Sequence, residues 1–311
     1  MSRFLVTGGA GFIGSHIVEA LVKQGKNVRV LDNFSSGKLS NLKGLEKKID
    51  LIRGDICSYA ACVKATKGVD FVLHQAALRS VPKSMVEPHA YNRVNIDGTL
   101  NMLEASRENK IKRFVFASSS SVYGEVKDYP EKESFLPGPI SPYALSKITG
   151  EYYCKIFSLY FALPTVALRY FNVFGPRQAL DDDYAVVIPK FINCLLNNQS
   201  PPIFGNGRQS RDFTFVQNVV AANLLAASAC KVKHGVFNVA SGKDTSVLDL
   251  VKILNQILGK NIKPRLLPVR AGDVFRTLAD IRQAGKFLNF KPKVSFIDGL
   301  KITVDFWKQN A

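Results

Sequence analysis

Thr7-Gly8-Gly9-Ala10-Gly11-Phe12-Ile13-Gly14 is the stretch that decides the fold. The apolar run Phe4-Leu5-Val6 leads into it, and Ile13, Ile17, Leu21 and Val22 follow on one helical face. A short unbroken apolar run before a glycine turn reads as a buried parallel strand. The spacing after it reads as a helix over 14–24. Glycines at such a junction let the backbone turn tightly and approach a pyrophosphate, and the opening N–H groups of the helix then face the anion. Gly8, Gly11, Phe12, Ile13 and Gly14 are therefore expected to cradle a dinucleotide.

Working outward, Asn27–Asp32 reads as the second strand, and Asp32 closes it 18 residues past Gly14. A carboxylate there accepts hydrogen bonds from both adenosine ribose hydroxyls and repels a 2′-phosphate, which favours NAD over NADP. Asn33 shares that strand end. After the third strand, Ile49–Arg53, come Asp55 and Ile56. Asp55 reads equally well as a contact to the adenine edge or as the N-cap of the next helix. His74-Gln75-Ala76-Ala77 ends the fourth strand, Phe71–His74, and Ala76 and Ala77 leave room for the nicotinamide ribose. A further strand over 113–118 and helices over 57–66, 91–108 and 143–160 continue the alternation. The pattern implies a Rossmann-type doubly wound parallel sheet.

Past residue 175 the texture changes. Gly175-Pro176, Pro201-Pro202 and Gly205-Asn206-Gly207 punctuate loops. Helices are expected over 186–197, 216–229, 248–258 and 297–307, with short strands near Phe213, 236–239 and 265–268. Residues 1–175 read as a cofactor domain to which some later segments return. Residues 176–311 read as a smaller mixed α/β lobe for the substrate.

The net charge of +17 is spread along all 311 residues with no basic tail, so nucleic acid is not an expected partner. The five cysteines show no metal-ligand spacing and read as reduced thiols, with no metal expected. No apolar run reaches the roughly 18 residues that a membrane helix needs. Phe4-Leu5-Val6 reads as core strand rather than as a secretion leader, and a cytoplasmic location is expected.

Chemistry enters with Tyr143-Ala144-Leu145-Ser146-Lys147. Tyrosine and lysine at i, i+4 share one helix face. A free phenol with a pKa near 10 is a poor base at neutral pH, and lowering it by about three units takes about 4 kcal/mol of differential stabilisation. A nearby ammonium and an oxidised nicotinamide both favour the phenolate, which suits general acid–base work. Ser118-Ser119-Ser120-Ser121 closes the preceding strand, where a hydroxyl meets ligands at the carboxyl edge of the sheet.

With glycine turn, serine loop and Tyr–Lys pair in this order, the chain resembles the extended short-chain dehydrogenases/reductases over about residues 3–307. Within them it is similar to the NAD-dependent nucleotide-sugar epimerase/dehydratase family, and nearest to 4-epimerases of UDP-N-acetylglucosamine and UDP-glucose. The resemblance implies Ser119, Tyr143 and Lys147 as the catalytic set, with Tyr143 as base on the sugar hydroxyl and Lys147 also at the nicotinamide ribose. Asn95 matches a structural asparagine grouped with the cofactor residues, as is Tyr170. On the substrate side it implies Asn172, Arg211 and Arg270 at the diphosphate, Val187 and Ile188 along the uracil, and Asp273 at a ribose. Ser80 and Ser120 would lie near the sugar. Thr277 falls where a small residue admits an N-acetyl group.

The 4,6-dehydratases of this family carry an Asp-Glu pair where this chain has Ser120 and Ser121. The decarboxylases usually keep a glutamate at the second of these positions. The resemblance therefore implies 4-epimerisation of a UDP-hexose by transient oxidation at C4 with tightly bound NAD, N-acetylated sugars first. A UDP-glucuronate 4-epimerase or decarboxylase, a dehydratase and a non-catalytic NAD sensor are the alternatives. A homodimer through the helices over 91–108 and 143–160 is also implied.

Overall fold

A computed structural model describes residues 2–180, 187–269 and 274–310. The first half runs β1 (Arg3–Thr7), α1 (Phe12–Lys23), β2 (Asn27–Asp32), β3 (Ile49–Arg53), α2 (Tyr59–Thr66), β4 (Phe71–His74), α3 (Val81–Val86) and α4 (Pro88–Tyr91). A π-helical turn, Asn92–Asp97, leads into α5 (Gly98–Glu108), β5 (Arg113–Ser119), α6 (Pro142–Tyr160) and β6 (Thr165–Tyr170). The second half runs β7 (Val173–Phe174), α7 (Val187–Leu196), β8 (Pro202–Phe204), β9 (Ser210–Arg211), β10 (Thr214–Phe215), α8 (Val216–Ser228) and β11 (His234–Val239). It ends with β12 (Thr245–Ser246), α9 (Val247–Leu258), β13 (Arg265–Leu267), α10 (Arg282–Leu288) and α11 (Phe296–Asn310).

Seven parallel strands form the main sheet in the order β11-β6-β5-β4-β1-β2-β3. The order reverses between β1 and β4, and in such sheets ligands bind outside the carboxyl ends at that reversal. Thr7 stands level with Leu31 on one side and His74 on the other, so the glycine turn opens at the reversal. β5 and β6 are apolar throughout their middles because helices cover both faces. One core, with Val6, Val30, Val115 and Leu168, lies on the α1 and α8 face. Another, with Leu5, Val72, Phe114 and Phe116, lies beneath α2, α5 and α6.

Two expectations need correction. The helix expected over 91–108 is not one α-helix, because Asn92–Asp97 is wound as a π-turn. That extra residue per turn turns Asn95 into the interior. The strand near 236–239 belongs not to the lobe but to the main sheet, where β11 pairs with β6 and buries Phe237 and Val239.

The lobe has its own core, with Phe174, Ile192, Phe215 and Leu300. α9 shows how it is built. Val247, Leu250, Val251 and Leu254 fall at i, i+3, i+4 and i+7 and are buried. Ser246 accepts the Asp249 N–H as N-cap, and Gly259 at φ 64° ends the helix. Burying each such side chain is worth about 1.5–3 kcal/mol, against only about 1 kcal/mol for the cap. Packing, not capping, therefore holds α9 in place. Among the described residues no helix is long and apolar enough to cross a membrane, and all five cysteines are free thiols.

Candidate active site

The glycine turn is as tight as its sequence demands. Gly8 sits at φ +64°, and a Cβ there would lie 2.9 Å from the Ala76 backbone. A Cβ on Gly14 would lie 2.1 Å from the Gly8 carbonyl oxygen. Gly11 is the N-cap of α1 and offers no side-chain acceptor, so no side chain caps the first-turn N–H groups. These groups open into a cleft of about 450 Å³. Gly8, Gly11, Phe12, Ile13, Gly14, Asp32, Asn33, Asp55, Ile56, Ala76, Ala77, Tyr143, Lys147 and Tyr170 all line it. Asn95 does not.

Asp32 is buried, and its two oxygens accept the Ala10 and Phe34 N–H groups at 2.9 and 2.8 Å. Those bonds aim the carboxylate at the far end of the cleft. Asp55 is not the N-cap of α2. That role falls to Ser58, which accepts the Ala61 N–H. Asp55 instead accepts Cys57 N–H at 2.8 Å and Asn33 Nδ2–H at 2.9 Å.

Sequence reasoning missed part of this wall. Ser35, Ser36, Lys38 and Asn41 line the cleft beside Asp32. Arg177 and Gln178 line it from the loop after β7, and Phe306 and Trp307 from α11. Arg177 is tied to Glu19 of α1 at 2.6 Å, and His16 takes the Pro176 carbonyl at 2.9 Å. Burial lowers the pKa of His16 to about 4. It is therefore neutral, and its ring N–H donates to that carbonyl. Only the charge of Arg177 hinted at this from the sequence.

At the other end of the cleft, Ser141 caps α6 by accepting the Ala144 N–H at 3.1 Å, and Pro142 opens the helix. Tyr143 and Lys147 then share one face. Ser119 stands close enough to the Tyr143 phenol to favour its charged form, and Ser121 donates to Ser119 Oγ through its hydroxyl at 3.0 Å and its N–H at 3.2 Å. Tyr91 packs edge-on against the Tyr143 ring at 6.3 Å. Burial raises the Tyr143 pKa, partly offset by the neighbouring Ser119 hydroxyl. The expected help from Lys147 is not direct. Its Nζ donates to the Ala117 carbonyl at 2.9 Å and lies 5.8 Å from the phenol ring centre. Burial lowers Lys147 itself to about 8. The protein alone therefore holds a neutral phenol, and forming the phenolate needs a further positive charge in the cleft.

Buried polar groups fix these parts together. Asn95 accepts the Leu78 N–H and donates to Leu78 O and Ser146 Oγ, and the Ser146 hydroxyl donates to the Tyr143 carbonyl at 2.7 Å. His74, wholly inside, bonds Thr7 at 2.8 Å and Thr99 at 3.2 Å. Thr99 gives its proton to Asn95 O, so its oxygen accepts His74 Nε2–H, and Nδ1 accepts from Thr7. Burial drops the His74 pKa to about 3.

A residue missed from the sequence lies one turn beyond Lys147. Glu151 continues the i, i+4, i+8 row and takes Arg169 of β6 at 2.9 and 2.7 Å. It also accepts the Ser118 hydroxyl at 2.5 Å. Arg169 lies over the Tyr123 ring at 4.6 Å. The pair thus binds α6 to the ends of β5 and β6 directly below Tyr143 and Lys147.

On the lobe side the expected residues are less gathered. Asn172, at φ +34°, donates from Nδ2 to Thr277 Oγ1 at 2.9 Å and to Asp212 O at 3.3 Å. Arg211 donates to the Ser210 and Phe275 carbonyls at 2.9 and 3.2 Å. Val187 and Ile188 open α7, but the Ile188 side chain is inside the lobe core, so it cannot lie along a base. Ser80 caps α3 by accepting the Lys83 N–H. Ser120 stands in the 3₁₀ turn after Ser119. Arg270 and Asp273 lie outside the described residues.

A family model described as "NAD dependent epimerase/dehydratase family" matches residues 4–240. Among solved structures, a UDP-N-acetylglucosamine 4-epimerase from Methanobrevibacter ruminantium M1, in complex with UDP-N-acetylmuramic acid, is 44% identical with a TM-score of 0.96, covering 100% of this chain and 99% of that one. A UDP-glucose 4-epimerase from Thermotoga maritima with UDP-glucose is 38% identical with a TM-score of 0.93, covering 99% of both. A UDP-glucose 4-epimerase from Thermus thermophilus in complex with NAD is 34% identical with a TM-score of 0.91, covering 99% of this chain and 100% of that one.

Proposed function

The chain belongs to the NAD-dependent epimerase/dehydratase family, and on that premise we propose that it interconverts the C4 epimers of a UDP-hexose: UDP-N-acetylglucosamine and UDP-N-acetylgalactosamine first, with UDP-glucose and UDP-galactose also accepted. The observation that carries this reading is Tyr143 at one end of the cleft beside Ser119, with Lys147 a helical turn away and lining the same cleft, and serine hydroxyls in the turn that follows Ser119. A dehydratase needs a carboxyl acid in that loop to expel water. The buried carboxylate that meets this loop, Glu151, is bound by Arg169 and Ser118 instead.

The cleft fits NAD. The glycine turn has no room for a Cβ at Gly8 or Gly14, and Asp32 faces the adenosine end. Gly11 to Gly14 would hold the pyrophosphate, Asp32 the adenosine ribose and Lys147 the nicotinamide ribose. When bound, oxidised nicotinamide supplies a hydride acceptor and a positive charge. Tyr143 takes the proton from the sugar O4 as the C4 hydrogen leaves with its electron pair. Ser119 holds that oxygen in line. The keto sugar turns over about its diphosphate, held by the lobe through Arg211. Tyr143 returns the proton once hydrogen has been restored to the opposite face. Residues 1–175 thus serve mainly the cofactor and 176–311 mainly the UDP-sugar.

The test is a panel of UDP-N-acetylglucosamine, UDP-glucose and UDP-glucuronate with product NMR. Formation of the C4 epimer of the first is the expected result. A 4-keto-6-deoxy sugar, or loss of carbon dioxide from the uronate, would replace this reading with a dehydratase or a decarboxylase.

The assembly is proposed on the same footing. Leu145, Tyr152, Ile156 and Leu159 make an exposed apolar stripe at i, i+7, i+11 and i+14 on α6, which suits a two-fold helix pairing. α5 instead turns Met102 and Leu103 into its own core, so α6 carries the apolar contact. Light scattering should return twice the 34.3 kDa chain mass. Free thiols and a nucleotide-sugar substrate support a cytoplasmic location.

A further inference from the structure

Thr277 enters the proposed reading as a small side chain that leaves space at the sugar. The structure gives its hydroxyl a second task. Thr277 is half-buried and joined to the strand beside it through its backbone, donating N–H to Ser210 O at 3.1 Å and accepting Asp212 N–H at 2.9 Å. Its hydroxyl oxygen lies 2.9 Å from Asn172 Nδ2 and 3.3 Å from Asp212 N. The second Asn172 Nδ2 contact is the Asp212 carbonyl at 3.3 Å. That carbonyl only accepts, so it settles which way the amide faces. Reversing the amide would set two acceptors against each other. Both Nδ2 hydrogens are therefore directed into the protein, while Oδ1 makes no hydrogen bond among the described residues. The backbone cooperates, since Asn172 is held in the left-handed region and its carbonyl accepts the Thr214 N–H at 3.2 Å.

An amide that has only its oxygen to offer cannot serve a diphosphate, whose oxygens accept. We infer that Thr277 is a positioning residue for Asn172: its hydroxyl keeps the amide with nitrogen inward and oxygen outward, so that Asn172 accepts a hydroxyl of the sugar and the diphosphate takes its donors elsewhere. On this inference Asn172 faces the sugar rather than the phosphates. It makes the contribution of Thr277 to sugar recognition one of hydrogen bonding as well as size. Valine at this position has nearly the same volume but no hydroxyl, so it separates the two effects.

The inference rests on the proposal that the cleft takes a UDP-sugar, and the experiment keeps the two apart. Calorimetric titration of the purified protein with UDP and with UDP-N-acetylglucosamine is run on the wild type, Thr277→Val and Thr277→Ser, with melting temperatures as the folding control. The expected result is UDP affinity unchanged throughout, UDP-sugar affinity about tenfold weaker in Thr277→Val, as for one lost hydrogen bond, and affinity restored to within about twofold in Thr277→Ser, which keeps the hydroxyl. In turnover the valine variant should raise KM more than it lowers kcat. Equal affinities in wild type and Thr277→Val would leave size as the whole role and overturn the inference. Parallel losses for UDP and UDP-sugar would return Asn172 to the diphosphate and overturn it too. A wild type that binds neither ligand would instead remove the UDP-sugar reading itself.

Discussion

Tyr143 and Thr277 stand on unlike supports. Tyr143 belongs to a 19-residue helix with a proline start, a serine cap and a buried ion pair two turns below. Thr277 lies in an extended segment that meets its neighbours only as isolated bridges, Ser210 with Arg276 and Glu131 with Ala279. Side chains reinforce these short backbone pairings. The Asp212 carboxylate accepts the N–H groups of Ser241, Gly242 and Ala279 and the Ser241 hydroxyl. Burial still raises the pKa of Asp212 to about 6 despite those donors. On the proposed reading, chemistry common to many substrates is thus placed on long, cooperative elements. Recognition of one substrate would fall to short pieces, each held by a few bonds, where a single exchange alters local geometry without disturbing the sheet.

The largest effect should come from the helix side. Tyr143→Phe is expected to cut epimerisation by about 10³-fold, in the range for loss of a general acid–base group, with bound NAD and melting temperature unchanged. Undiminished turnover would deny the phenol its role and erase the contrast. Next is the anchor. Glu151→Ala leaves Arg169 buried without its partner and should cost about 3–5 kcal/mol in urea unfolding. The double change Glu151→Ala, Arg169→Met should recover much of that. If the single variant loses under about 1 kcal/mol, small beside the cost of an unpaired buried charge, the helix is not held by this pair.

Asp212→Asn tests the lobe side. One acceptor oxygen replaces two, and a stability loss of about 1–3 kcal/mol is expected, with KM for the UDP-sugar raised and NAD content kept. An equal fall in NAD content would show that the two regions are not separable. The smallest effect concerns pH. His74 is neutral in the fold, with a pKa near 3 against 6.5 when free. Its contribution to stability is complete above pH 6.5 and lost as pH falls from 6.5 towards 3, because unfolding then takes up a proton. Melting temperatures between about pH 6.5 and about 4.5, inside that window, should fall less steeply in His74→Gln than in the wild type, and parallel slopes would refute the assignment.

The difference in support also explains what was readable beforehand. Strand, glycine turn and helix at 3–23 are adjacent in the chain, and their pattern is local. The Tyr143–Lys147 pair is one helical turn, so its shared face follows from periodicity alone. Glu151 continues the same row and was visible by spacing, but its meaning was not, since Arg169 reaches it only because β6 lies beside β5. The π-turn that buries Asn95 leaves no mark in the apolar pattern. Ile188 was expected to face a ligand by position in a motif, and the packing of α7 on the lobe core turned it inward.

By itself, then, the amino-acid order determined the parallel α/β class, the tight glycine turn, the acidic end of β2 and the shared face of Tyr143 and Lys147, because each is encoded within a few neighbouring residues by helical or strand period. Only the tertiary structure decided which way the Asn172 amide faces, how α6 is fastened and which side chains complete the cleft wall. Those depend on partners such as Thr277, 105 residues away, that meet only after the chain has crossed the sheet.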